Sequence, residues 1–121
     1  MTQISALLVA LALAGGPALA HAQVSVHDGA LVGPTGMTLY TFDKDVAGSG
    51  KSNCNGNCAT NWPPLTAMAA PSGAGYSLIE REDGVKQVAY KGKPLYYWSH
   101  DAKPGDRMGN GKADLWHTAM P

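Results

Sequence analysis

Both cysteines of the chain, Cys54 and Cys58, sit in the stretch Ser52-Asn53-Cys54-Asn55-Gly56-Asn57-Cys58-Ala59-Thr60-Asn61-Trp62-Pro63-Pro64. Thiols at this spacing can form a disulfide, clip a metal or act as a redox switch. Cys-x-x-x-Cys is neither the Cys-x-x-Cys of dithiol oxidoreductases nor the Cys-x-x-Cys-His of haem attachment. A metal would need further soft ligands, and His100, His117 and Met108 are available but scattered in sequence. Asp101, Asp106, Asn110 and Asp114 suggest calcium, yet their spacing is not that of an EF-hand loop, and residues of these types serve turns. Gly48-Ser49-Gly50-Lys51-Ser52 resembles the end of a phosphate-binding loop, but Asp45 stands where its first glycine belongs. Neither a Gly-x-Ser-x-Gly elbow nor a His-Glu-x-x-His pair occurs. No residue is singled out as catalytic and no cofactor is called for, so the chain leans away from an enzyme.

The elements that position these residues come in two copies. Leu39-Tyr40-Thr41-Phe42-Asp43-Lys44-Asp45 is echoed by Leu95-Tyr96-Tyr97-Trp98-Ser99-His100-Asp101, with Asp28-Gly29 and Asp83-Gly84 ahead of them and Trp62 and Trp116 behind. A self-similar period of this size marks duplication of one supersecondary unit. The first unit covers about residues 24–65 and the second about 76–121, joined by a small-residue connector over 66–75. Apolar residues alternate with period two, placing Tyr40 with Phe42 and Tyr96 with Trp98 on one side of extended segments and Leu39 and Leu95 on the other. Short strands are predicted at 24–26, 30–32, 76–80 and 85–90, with a polar hairpin turn over Glu80–Val85. One short helix is allowed over Cys58–Trp62, ending before Pro63-Pro64. The fold class is therefore all-β, a small single domain of two homologous units. A unit of this size cannot bury its aromatic face alone, which predicts that the two pair face to face.

Residues 1–22 read as a secretory signal: an apolar run from Ile4 to Ala14, then Ala18-Leu19-Ala20, with cleavage after Ala20 or Ala22. The run is too short to span a bilayer, and no cysteine follows the cleavage site, so neither a membrane span nor a lipid anchor is expected. All nine acidic and nine basic residues lie beyond it, a neutral balance that argues against nucleic acid as partner. A periplasmic or secreted location is oxidising, which with an even cysteine count favours a Cys54–Cys58 disulfide.

The ordered set Tyr40-x-Phe42-x-x-Asp45, Cys54-x-Gly56-x-Cys58-Ala59, Trp62-Pro63-Pro64, Tyr90-x-Gly92-x-Pro94-Leu95-Tyr96-Tyr97, Asp101, Pro104-Gly105-Asp106, Gly109-x-Gly111 and Trp116 resembles the bacterial "secreted repeat of unknown function" proteins. These are also described as lipoproteins with a Tyr-x-aromatic-x-x-Asp motif, which Tyr96-x-Trp98-x-x-Asp101 matches a second time. The resemblance implies an exported, duplicated β module and leaves its biochemical role open; this chain lacks the lipidation cysteine.

The expectation is a binding or accessory module of the cell envelope, with an envelope protein or a small ligand as partner. Aromatic residues exposed at the junction of the units, beside Asp45 and Asp101, are where a ligand is expected. The alternative is envelope redox or copper handling through Cys54 and Cys58 with His and Met.

Overall fold

The computed structural model describes residues 23–121; the expected leader lies outside the described residues. Strands β1 (Ser25–His27) and β2 (Ala30–Val32) form an antiparallel hairpin. Its turn residues, Asp28 and Gly29, both have positive φ, 49° and 79°. Two left-handed residues in succession match the twist of the flanking strands, which is why an Asp-Gly pair closes this loop. β3 (Tyr40–Phe42) follows, then a long loop and the helix α1 (Asn57–Asn61), which starts one residue earlier than expected and stops before Pro63-Pro64. The second copy supplies the β4 (Tyr76–Glu80) and β5 (Lys86–Tyr90) hairpin, the short β6 (Lys93–Pro94), a 3-10 turn over Lys112–Asp114 and β7 (Trp116–Thr118). Small antiparallel sheets with one short helix make an all-β domain of two repeat units.

The units interleave instead of stacking face to face. β3 of the first pairs with β7 of the second, Tyr40 opposite Thr118 and Phe42 opposite Trp116. Backbone bonds show the same exchange twice. Leu31 N–H donates to Ala119 (2.9 Å) while Val88 N–H donates to Leu65 (2.8 Å). Ala119 N–H donates to Leu39 (2.8 Å) while Leu65 N–H donates to Leu95 (3.0 Å). The end of each repeat thus completes the strands of the other. At the centre of this approximate twofold, Tyr40 and Tyr96 exchange N–H to carbonyl bonds of 2.8 and 3.0 Å.

The extended segment over Leu95–Trp98 is not a regular strand, because its partner offers no donors at Pro63 and Pro64. Past the reciprocal Tyr40–Tyr96 pair single bonds hold it, Tyr97 N–H to Pro63 (2.7 Å) and Ser99 N–H to Asn61 (2.9 Å).

Alternation in the aromatic segments separates two cores. Leu31, Leu39, Leu65, Val88, Leu95 and Ala119 fill one, pairwise equivalent between the repeats. Tyr40, Phe42, Cys54, Trp62, Tyr96 and Trp116 fill the other. At roughly 1.5–3 kcal/mol per buried large side chain, these two clusters are the main stabilising term.

Candidate functional site

The motif residues meet across the twofold axis. Tyr40 O–H donates to Asp101 Oδ2 and Tyr96 O–H to Asp45 Oδ2, each at 2.6 Å. Each tyrosine therefore finds the aspartate of the other repeat. The second carboxylate oxygen takes a backbone N–H of its own repeat's loop, Asn53 to Asp45 Oδ1 (2.7 Å) and Met108 to Asp101 Oδ1 (2.9 Å). The turn role expected of Asp101 describes that half of its carboxylate, and Asp45 acts in the same way. The crossing half is invisible to local reading, since it joins positions 61 and 51 residues apart. Burial, reinforced by the aspartate, pushes both phenols above the ordinary tyrosine range. Desolvation likewise raises Asp45, opposed by its bonds from Tyr96 and Asn53.

Four rings stack in a ladder over this crossing. Phe42 lies on Trp116 (4.2 Å between centroids), Trp116 on Trp62 (3.8 Å) and Trp62 on Trp98 (4.1 Å). The tyrosines close its sides edge-on, Tyr40 against Trp62 at 5.4 Å and Tyr96 against Trp116 at 5.2 Å. Gly109 makes room for it: a Cβ there would fall 2.7 Å from Trp62 and 3.0 Å from Trp98.

The two ends of the ladder differ. At the Phe42 end, Asp45 and Ser52 are buried, and the Ser52 hydroxyl shares a 2.7 Å bond with the Tyr96 hydroxyl. Arg81 closes that end, donating to Ser52 (2.9 Å), to Gln87 Oε1 (2.6 Å) and to the carbonyl of Cys54. Arg81 was expected on the polar face of a hairpin turn and is 5% exposed instead. Sequence carries no signal for this, because its acceptors come from two separate segments, the Ser52–Asn55 loop and β5. Cys54 and Cys58 are joined in a disulfide with Cα atoms 5.2 Å apart, and Cys54 is fully buried under the ladder.

At the other end Trp98 is half-buried, with the His100 ring at 4.8 Å and Lys112 Nζ at 5.3 Å. Beside it opens a cleft of about 260 Å³, lined by Thr35, Met37, Thr38, Tyr97, Trp98 and Asp101. A second cleft, of about 270 Å³, shares three repeat-equivalent positions with the first and differs in chemistry. Lys91 and Lys93 stand where the first has Thr35 and Met37, and Thr41 where it has Tyr97.

Of the expected site residues, Tyr40, Phe42, Asp45, Cys54, Tyr96, Trp98 and Asp101 converge on this centre, and Cys58 joins it through the disulfide. Met37 and Tyr97 line the cleft without having been expected there. The ligands of the metal alternative do not converge: His117 bonds Asp43 Oδ2 at 2.9 Å and His100 packs on Trp98. Among the described residues no group of three or more His, Cys, Asp or Glu side chains is placed to hold an ion. No helix among them is long and apolar enough to cross a membrane.

A family model described as a secreted repeat of unknown function matches residues 23–66 and again 77–120. No curated protein and no solved structure matches the chain.

Proposed function

Since the chain belongs to the secreted-repeat family and carries its unit twice, we propose that it is an exported binding module in which one end of the duplicated centre is structural and the other takes a ligand. On this reading residues 1–22 are a cleaved leader and the mature chain works in the periplasm or outside the cell. The observation that carries the reading is the difference between the ladder's ends. Asp45 and Phe42 are buried and line no cleft, the one over that end, about 410 Å³, being walled by polar and charged side chains with Ser52 and Arg81 among them, while Trp98 and Asp101 themselves border an open cleft of about 260 Å³. Such a volume suits a small ligand or one residue of a longer one.

The lining defines the ligand's chemistry. Trp98, Tyr97 and Met37 offer apolar and aromatic surface, and the Asp101 carboxylate has lone pairs beyond those taken by Tyr40 and Met108. A flat apolar ring carrying a hydrogen-bond donor complements both. The test is an amide NMR titration with benzylamine, phenol and cyclohexanol as probes. Saturable shifts confined to Met37, Tyr97, Trp98, Asp101 and Met108, largest for the cation, are the expected result. Shifts elsewhere, or none that saturate, would sink this reading.

A further inference from the structure

The central contacts between the repeats are self-complementary, the first receiving from the second what it gives, while the Arg81 bonds to Ser52 and Cys54 stand outside this symmetry. Tyr40 reaches Asp101 and Tyr96 reaches Asp45 at the same 2.6 Å. The terminal segment of the first repeat, at Leu65, pairs with Leu95 and Val88, as that of the second, at Ala119, pairs with Leu39 and Leu31. Even the outer turns correspond, Gly48 N–H donating to Gly92 at 3.0 Å on one side while Pro104 packs against Gly36 on the other. An interface in which residue i meets j and j meets i is the kind that twofold oligomers use.

We propose that the inner face of each repeat is a docking surface for a second copy of this chain, so that two chains can assemble by exchanging halves through the connector. The proposal is independent of the Trp98 cleft. Only the connector decides which partner a repeat meets, and its hold is slight. After Thr66 and Ala67, which pair with Gln87 and Lys86, Met68 is 87% exposed, and beyond the buried Pro71 the residues 72–75 are all exposed. The connector must also cross the sheet. Ala67 lies on the β6 side of β5, beside Lys86 at its start, whereas Tyr76 lies on the opposite side, beside Tyr90 at its end. Two strand spacings and four residue rises put that span at about 16 Å. A chain with residues 69–74 deleted keeps only Met68 and Gly75 between Ala67 and Tyr76, a reach of about 10 Å. Such a chain cannot close on itself but can complete a neighbour.

The experiment compares the full chain with this deletion by light scattering after size exclusion. Expected are monomers for the full chain at low concentration and a dimer of twice the mass for the deletion, with native near-ultraviolet circular dichroism from the reassembled ladder. A folded monomer from the deletion would overturn the proposal, and so would a deletion that never folds. A second variant separates exchange from simple instability: a protease site inserted between Ser72 and Gly73, cut in the folded protein. The two pieces are expected to co-elute, to part in denaturant and to re-pair on its removal, drawing pieces from an isotope-labelled batch. Pieces that separate under native conditions would show that the repeats do not recognise each other without the covalent link.

Discussion

Each motif tyrosine hydrogen-bonds a carboxylate, but the two carboxylates differ in their access to water. Asp45 is 4% exposed whereas Asp101 borders a cleft, so removing the donor from Asp45 leaves a nearly dry charge unsatisfied. Hydrogen bonds to charged groups contribute about 1.5–3 kcal/mol, with more lost when the charge stays buried. Tyr96→Phe is therefore expected to cost about 3 kcal/mol and Tyr40→Phe about half that, read from urea midpoints at pH 7. Equal losses would contradict the difference between the ladder's ends. The phenols also impose a pH dependence. Their folded-state pKa is raised above the unfolded value of about 10. The stability they contribute is thus complete below pH 10 and falls as pH rises through the folded-state value, by about 1.4 kcal/mol per pH unit for each phenol. The double Tyr→Phe variant is expected to lose that alkaline slope while starting from lower stability.

At the scale of elements, the loop from Asp45 to Trp62 has almost no regular structure before α1 and is held by discrete devices. Asp45 takes its Asn53 amide, Arg81 takes its Cys54 carbonyl, and the disulfide locks Cys54 to Cys58. The closed ring is so small that the loop-entropy relation assigns it only about 2 kcal/mol. Reduction with a thiol, or Cys58→Ala with Cys54→Ala, is expected to lower stability by about that amount and to leave a folded protein. Complete unfolding on reduction would mean that the staple holds the ladder itself. In the second repeat Gly109 takes the place of a side chain under the ladder, where any Cβ would strike Trp62. The corresponding loop there is tied by Asp106 instead, which accepts from the Ala102 and Lys103 amides at 2.8 and 3.1 Å and whose pKa is lowered chiefly by its bond from the Lys103 ammonium.

For the whole molecule, the exchange of terminal segments means that neither repeat can unfold while the other stays intact. Loss of the Leu65 segment strips Val88 and Leu95 of partners, and loss of the Ala119 segment does the same to Leu31 and Leu39. Calorimetry is expected to show one transition with equal calorimetric and van't Hoff enthalpies, shifted as a unit by Leu39→Ala or Leu95→Ala. Two transitions would mean independently stable halves. Period-two alternation, turn residues and the paired cysteines were legible in the chain because each is set by neighbours within a few residues, and the duplication because the Leu39–Asp45 phrase recurs at Leu95–Asp101. Helix α1 and the Asp28-Gly29 hairpin follow from the same local chemistry. What the chain could not announce is which repeat each aromatic segment completes. Side-chain alternation says only which face Tyr40 or Tyr96 takes, and identical motifs are equally compatible with pairing within a repeat or between repeats. Burial of Arg81, the crossing of tyrosine to the other repeat's aspartate, and the sealing of one ladder end but not the other were decided by the tertiary structure alone. Each depends on groups 26 or more residues apart finding the one arrangement that satisfies every buried polar side chain among the described residues.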